Sequence, residues 1–226
     1  MTNILIVGAT RGLGASLANN YASQHSTTVY GTTRAATGPS NLNEKIVWIP
    51  NIDVAEEGVG RKLVNQLGML GGVVEWLRGD ELHLMSLYVR SLNPIITAGY
   101  FATEDFVNGP KWDEQVKMYS SITLRHEKEG GGNYGHHASK SALNMVGKLL
   151  SLDLKEHGII VSILHPGFMR TEMTKGVGFD KYWDDGGAVT PDEAAESLVE
   201  WTEKLDISKS GQYWAPRVLE ILVPRM

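Results

Sequence analysis

Short apolar runs alternate with stretches of helical periodicity along the first third of the chain. Residues 3–7 form an almost uninterrupted apolar run, which is typical of a strand buried on both faces. Leu13, Leu17 and Tyr21 then recur at helical spacing. Further strands are predicted at 27–34 and 46–50, followed by a helix over 56–67. This alternation of strand and helix predicts an α/β fold with a doubly wound parallel sheet.

The second half of the chain continues the pattern. A fourth strand is predicted over 92–99, a long helix over 138–157 that Gly158 ends, and a strand over 159–164. Five apolar residues are expected on one face of the long helix: Leu143, Val146, Leu149, Leu150 and Leu154. Thr190, Pro191 and Glu193 predict another helix start, because they supply a capping threonine, a first-turn proline and the acid of a capping box.

A glycine-rich turn separates the first strand from the first helix. It reads Gly8-Ala9-Thr10-Arg11-Gly12-Leu13-Gly14. Glycines lack the Cβ atoms that would keep a phosphate away from backbone N–H groups, and a helix start supplies free donors. The turn therefore favours a dinucleotide site, although a tight strand-to-helix turn without a ligand remains an alternative. A nucleoside-triphosphate loop is disfavoured, since no Gly-Lys-Ser/Thr follows.

Composition narrows the class of protein. The 226 residues fit one domain with a sizeable core, and the absence of cysteine excludes disulfides, thiolate nucleophiles and cysteine-based metal sites. No metal site is predicted. The formal net charge of -5 argues against a nucleic-acid partner. Because no signal peptide or membrane-length apolar run is evident, we expect a cytoplasmic protein without a membrane partner, which acts on a small molecule.

Several landmarks occur in the order found in one family. They are Gly8-x3-Gly12-x-Gly14, Asp53-Val54, Ala98-Gly99, Ala138-Ser139-Lys140, and Pro166-Gly167 with Thr171. The chain resembles the short-chain dehydrogenase/reductases, and within them the carbonyl reductases. The resemblance implies a single Rossmann-type domain over 1–226 that transfers hydride between NAD(P)H and a carbonyl or alcohol.

The resemblance also assigns residues to the coenzyme. The glycine turn would hold the pyrophosphate, Asp53 would meet the adenine, and Thr171 would offer its hydroxyl to the nicotinamide carboxamide. The full implied set is Gly8, Thr10, Arg11, Gly12, Leu13, Gly14, Arg34, Asp53, Val54, Ala98, Gly99, Lys140, Pro166, Gly167 and Thr171. NADP is favoured over NAD because Arg11 and Arg34 offer two guanidiniums to a 2′-phosphate, where an acid would repel it.

The expected catalytic residues follow the family pattern only in part. The family pairs a lysine with a tyrosine four residues earlier, and Lys140 fits, but His136 occupies the tyrosine position. His136 could be the proton donor, because an imidazole titrates near neutral pH. Two arguments are against it: the Lys140 cation disfavours imidazolium, and an imidazole reaches less far from the backbone than a phenol. Tyr134 is the alternative proton donor, and a chain without catalysis is the third. Ser121, with Ser120 close behind, is the candidate for the substrate-orienting hydroxyl.

The middle of the chain, 71–122, departs from the family pattern. The interval between Gly99 and Lys140 is too short for the usual helix and strand, whereas 71–92 is longer than expected and predicts an extra amphipathic helix or an insertion. A partner chain in a homo-oligomer is one way to cover the exposed sheet face. The resulting hypothesis is an NADP-dependent carbonyl or alcohol oxidoreductase. The alternative is an NADP-binding protein without turnover, and a methyltransferase is disfavoured.

Overall fold

A computed structural model describes residues 2–54, 56, 59–69, 87–91, 95–99, 144–145, 147–157 and 160–215. The strands are β1 (Thr2–Ile6), β2 (Thr27–Thr32), β3 (Ile46–Ile49), β4 (Leu87–Ser91), β5 (Ile95–Gly99), β6 (Ile160–Leu164) and β7 (Tyr213–Trp214). The helices are α1 (Gly12–Ala22), α2 (Val59–Met69), α3 (147–153), α4 (Glu172–Gly176) and α5 (Pro191–Glu203). Short 3₁₀ turns cover Lys155–His157, Asp180–Tyr182 and Ile207–Lys209.

The strands form one seven-stranded sheet in the order β3-β2-β1-β4-β5-β6-β7. Pairing is parallel between β1 and β2, β2 and β3, β5 and β6, and β6 and β7. Strand β4 is antiparallel to both of its neighbours, β1 and β5. The other six described strands therefore point the same way, and the expected α/β fold with a single doubly wound sheet is confirmed.

Strand β4 corrects the expectation at Tyr88. Tyr88 was counted in a further amphipathic helix, but Leu87–Ser91 is extended and pairs with β1 at Ile6↔Tyr88. Val74, Leu77 and Leu84, which were counted in the same helix, lie outside the described residues. Only three residues separate β4 from β5, and a connection of that length can join antiparallel strands but not parallel ones. The spacing was misleading at Tyr88 because a short apolar run fits both periodicities.

Both faces of the sheet carry an apolar core. Leu5 and Val7 pack on one face with Ile49, Ile52 and the α2 side chains, which are Val59, Leu63 and Leu67. Ile4 and Ile6 pack on the other face with residues of α1 and β2, among them Ala18, Tyr21 and Val29. Successive side chains of β1 thus point to opposite faces and both are buried. This burial on both faces explains why the apolar run at the start of the chain is uninterrupted.

Helix α3 buries two of the residues that were expected to share a face, but not Leu149. Leu150 and Leu154 pack against the core beneath α2, and Gly147 and Ser151 are buried beside them. Leu149 is 53% exposed, so its assignment to the buried face is wrong. The residues at 147, 150, 151 and 154 follow the i, i+3, i+4, i+7 stripe of a helix, from which position 149 is rotated away. Leu143 and Val146 lie outside the described residues.

The predicted start of α5 is confirmed in atomic detail. The Thr190 hydroxyl accepts a hydrogen bond from the Glu193 N–H at 3.2 Å, and a Glu193 carboxylate oxygen accepts one from the Thr190 N–H at 2.7 Å. Pro191 occupies the first turn, where its missing N–H costs nothing. The reciprocal pair satisfies two donors that a helix end would otherwise leave free.

Helices α1 and α5 are joined by a buried hydrogen bond. The Tyr21 hydroxyl lies 2.7 Å from the Thr202 hydroxyl, and both residues are almost fully buried. Because the Thr202 hydroxyl donates to the Val199 carbonyl at 2.8 Å, it accepts the proton of Tyr21. This bond fixes how the helix that follows the glycine turn sits against α5.

We expect Tyr21→Phe and Thr202→Val each to lower the free energy of unfolding by about 1 kcal/mol, which is typical of one buried hydrogen bond. The double variant should lose little more than either single variant, since both remove the same bond. Chemical denaturation of all four proteins measures the coupling. Strictly additive losses would contradict a direct Tyr21–Thr202 bond.

Candidate functional site

Five chain segments with candidate residues meet at one edge of the sheet. The carboxyl ends of β1, β2, β3, β5 and β6 lie on the same side, because these strands run in one direction. Ligands of open α/β sheets bind outside the carboxyl ends of the strands. This edge is therefore the candidate functional site.

The glycine turn follows β1 at this edge, and its glycines are required by geometry. Gly8 and Gly12 have φ angles of 81° and 54°, in the left-handed region that favours glycine. A Cβ added to Gly14 would lie 2.1 Å from the carbonyl oxygen of Gly8. Helix α1 thus starts in direct contact with the turn, and the first backbone N–H groups of the helix lie at the edge of the sheet. Arg11 caps the helix without a side-chain hydrogen bond to it.

The glycine turn is hydrogen-bonded to the end of β2. The Gly8 N–H donates to the Thr32 hydroxyl at 2.9 Å, and Thr32 is buried. A Cβ added to Gly31 would lie 3.0 Å from the Cβ of Ala9, so the two segments pack closely. Thr32 positions the turn, a role that the sequence analysis missed. Its only sequence signal is a threonine pair at the end of a strand.

The two arginines are positioned differently. Arg11 lies within the turn, and Arg34 lies two residues beyond the end of β2. The buried Thr33 hydroxyl accepts from the Ala35 N–H at 3.1 Å, which bends the chain at Arg34. Both arginines are exposed, and neither forms an ion pair with another described residue. Two guanidiniums are therefore available to an anion at this edge.

The segment after β3 is tied to the segment after β2. The Thr33 N–H donates to the Ile49 carbonyl at 3.0 Å, and the Ile52 N–H donates to the Thr33 carbonyl at 2.9 Å. Asn51 between them has a φ of 57°, which asparagine tolerates better than most residues. These bonds place the half-buried Asp53 beside the β2 end, and Val54 packs on the core.

Ala98 and Gly99 end β5 at the same edge, paired with Ile163 and Leu164 of β6. Because β4 lies between β1 and β5, these residues are two strand spacings from the glycine turn, about 10 Å. The turn and the β5 end are thus separated by the first residue of β4.

The loop after β6 returns to the glycine turn. Pro166 is buried, and Gly167 has a φ of 89° with no heavy atom within 4 Å of an added Cβ. Thr171 caps α4, and its hydroxyl accepts from the Thr174 N–H at 3.2 Å. The Thr171 Cγ2 lies 3.9 Å from the position of a Cβ added to Gly12. The structure therefore brings Thr171 and the glycine turn together.

The expected catalytic residues Ser121, Tyr134, His136 and Lys140 lie outside the described residues, and their roles stay predictions. Within the described ranges, no three histidine, aspartate or glutamate side chains are grouped closely enough to hold a metal ion. None of the described helices is both long and apolar enough to cross a membrane.

Comparison with known proteins places these features in one family. The family model for short chain dehydrogenases matches residues 116–181. The 1-hydroxy-2-glutathionyl-2-methyl-3-butene dehydrogenase of Rhodococcus sp. (strain AD45) is 27% identical, over 94% of this chain and 96% of its own. These matches support a member of the short-chain dehydrogenase/reductase family. Retinol dehydrogenase 5 of Mus musculus is 31% identical over 61% of this chain and 41% of its own.

Two solved structures share the fold of this chain. The NADPH bound carbonyl reductase from chicken fatty liver has a TM-score of 0.61 at 18% identity, over 94% of this chain and 95% of its own. A short chain dehydrogenase from Burkholderia cenocepacia J2315 in complex with NADP has a TM-score of 0.57 at 18% identity, over 93% and 94%. These likenesses support a single-domain α/β fold of the Rossmann type.

Gly14→Ala tests the contact between α1 and the turn. The added methyl collides with backbone that cannot move aside, so we expect a loss of about 2–3 kcal/mol in the free energy of unfolding. Gly176→Ala is the matched control, since it is also helical but its added Cβ meets no atom within 4 Å, and we expect a change within about 0.5 kcal/mol. Thermal unfolding of both variants measures the difference, and equal stability would show that α1 can shift away from Gly8.

Proposed function

We propose that this short-chain dehydrogenase/reductase is an NADP-dependent enzyme, which transfers hydride between nicotinamide and a small-molecule carbonyl or alcohol. One observation carries the proposal: the glycine turn, which is hydrogen-bonded to Thr32, lies at the same edge of the sheet as the exposed Arg11 and Arg34. The turn offers backbone donors to a pyrophosphate, and the two cations suit a further phosphate. A site for NAD alone would gain little from two unpaired guanidiniums.

The described residues fit the coenzyme. The turn bends at Gly8 and Gly12, whose φ angles are positive, and Gly14 lets α1 begin against the turn, so that the first backbone N–H groups of α1 would be available to a pyrophosphate. Thr10 and Leu13 belong to the same turn, and Asp53 and Val54 would meet the adenine. Pro166, Gly167 and Thr171 would face the nicotinamide. When bound, the coenzyme supplies the hydride.

Two solved relatives support the choice of NADP. Their titles name NADPH for the chicken carbonyl reductase and NADP for the Burkholderia enzyme. The chain itself has Thr33 and Arg34 after β2, where an acid would repel a 2′-phosphate. A guanidinium can instead grip that phosphate through two parallel hydrogen bonds.

Four residues outside the described ranges are proposed to handle the proton. Lys140 would hold the ribose and favour loss of a proton from its neighbour, and Ser121 would hold the substrate oxygen. His136 is the first candidate donor because it stands four residues before Lys140, which is the spacing that the family uses, and Tyr134 is the second. All four lie within the segment that matches the family model.

Arg34→Ala tests the coenzyme preference. We expect the dissociation constant for NADPH to rise by roughly 10- to 100-fold, as for the loss of one or two charge-assisted hydrogen bonds, while that for NADH stays unchanged. Lys45→Ala, which removes another exposed cation, is the control and should alter neither. Isothermal titration calorimetry measures all four constants. An equal effect on both coenzymes would refute a 2′-phosphate contact.

Lys140→Ala and the two donor variants test the chemistry. With NADPH and a panel of aromatic and aliphatic carbonyls, Lys140→Ala should abolish turnover, and Lys155→Ala should not. If His136 donates the proton, His136→Phe should remove activity, Tyr134→Phe should retain it, and the rate should fall with rising pH as the imidazolium loses its proton. The reverse pattern would assign the proton to Tyr134. Absorbance of the reduced nicotinamide follows each reaction.

The second candidate is an NADP-binding protein without turnover, which would sense the coenzyme. His136 at the tyrosine position is the specific feature in its favour. Both candidates predict tight NADPH binding, so only turnover separates them. Coenzyme binding with no carbonyl or alcohol converted, in the wild-type chain and in His136→Tyr alike, would establish the second.

A further inference from the structure

The loop between β2 and β3 carries Arg34 and is hydrogen-bonded to neighbouring elements at both ends. The Ala35 N–H donates to the buried hydroxyl just beyond β2 at 3.1 Å, and the Ala35 carbonyl accepts from the Asn51 N–H at 3.1 Å. At the other end, the Asn43 N–H donates to the Oδ1 of Asn19 in α1 at 2.9 Å. The loop is therefore held directly after Arg34 and again where it reaches the first helix.

The middle of this loop packs on the indole ring of Trp48 in β3. A Cβ added to Gly38 would lie between 2.2 and 2.3 Å from three atoms of that ring. The same ring contacts β2, because a Cβ added to Gly31 would lie 3.0 Å from the Cζ3 of Trp48. The indole thus packs against both segments, and only a glycine at position 38 lets the loop approach the ring this closely.

The indole is itself held by the core. Trp48 is half-buried and packs against the apolar cluster that contains Val29 and Ile46. Leu42, from the same loop, packs against this cluster as well. Because side chains in such a core are closely packed, a methyl group added at position 38 has to displace the loop rather than the ring.

The direction of Arg34 depends on the backbone that carries it. Its side chain is exposed and forms no ion pair or hydrogen bond with any other residue that the structure describes. Only two residues separate the hydrogen-bonded Ala35 from Gly38, so the contact with Trp48 restricts the short bend that begins at Arg34. A guanidinium grips a phosphate through two parallel hydrogen bonds, and hydrogen bonds weaken steeply when they are misaligned.

We propose that Trp48 is a positioning residue for Arg34, and that its contact with Gly38 sets how strongly this edge prefers a coenzyme with a 2′-phosphate. The inference rests on the proposed function, in which Arg34 grips that phosphate. Because the indole acts through the loop, its effect is specific to NADPH and is absent for NADH, which lacks the 2′-phosphate. A contact that only stabilised the fold would affect both coenzymes alike.

Gly38→Ala tests the contact by binding alone. The added methyl displaces the loop from the indole, so the dissociation constant for NADPH should rise roughly 3- to 10-fold, as for partial loss of charge-assisted hydrogen bonds, while that for NADH stays unchanged. Ser40→Ala is the control, because it changes an exposed side chain of the same loop and should alter neither constant. Isothermal titration calorimetry measures each constant. An unchanged NADPH constant, or an equal rise for both coenzymes, would overturn the inference.

The double variant Gly38→Ala/Arg34→Ala shows whether the contact acts through the guanidinium. Once the Arg34 side chain is removed, Gly38→Ala should raise the NADPH constant no further, since the two changes remove the same interaction. If Gly38→Ala raises that constant by the same factor with and without Arg34, the loop affects coenzyme binding independently of the guanidinium, and the inference is wrong.

Trp48→Leu tests the same contact from the ring. It should weaken binding of NADPH and not of NADH, and Gly38→Ala should add nothing to it, because the methyl no longer meets an indole. Thermal unfolding shows whether Trp48→Leu is folded, and Gly38→Ala decides the inference if it is not. Selective loss of NADPH binding in Arg34→Ala but not in Gly38→Ala would overturn the inference alone. A wild-type chain that binds NADPH no more tightly than NADH would overturn the proposed NADP preference and the inference together.

Discussion

The contact between Gly14 and the carbonyl of Gly8 is the constraint on which the site depends. With a Cβ position only 2.1 Å from that oxygen, no other residue lets α1 begin so close to the turn. The close approach directs the helix start at the sheet edge. It also places Leu13 where it packs against the base of the loop after β6. One missing side chain thereby sets the spacing of two separate chain segments.

Hydrogen bonds between the ends of neighbouring strands then make that edge rigid. Thr32 holds Gly8, and the backbone of Thr33 holds both Ile49 and Ile52. The candidate residues beyond β1, β2 and β3 therefore take their positions in part from hydrogen bonds between neighbouring strand ends. A site built in this way is organised before any ligand arrives, which lowers the entropy that binding would otherwise cost.

Local rules explain which elements the sequence predicted well. The capping box at Thr190 and the doubly buried β1 need only neighbouring residues or a uniform run, and both were foreseen. Leu149 was assigned to the wrong face because several apolar residues stood within one turn of α3, and only packing selects among them. The contact of Thr171 with Gly12 joins residues distant in sequence, so no spacing rule contains it. Strand β4 escaped prediction because its short apolar run fits a helical periodicity as well as an extended one.

Strand β4 divides the sheet into two blocks of parallel strands. On one side, β1 to β3 form a block of parallel strands from the amino-terminal residues alone, and on the other, β5 to β7 form a second block. Joining the blocks requires Ile6 to meet Tyr88, a closure across about 80 residues, whereas β4 and β5 can pair as a local hairpin. Because long-range pairing costs more loop-closure entropy than a hairpin, we expect β1 to pair with β4 after the local pairs have formed, and the edge that carries the candidate site to be completed at that step.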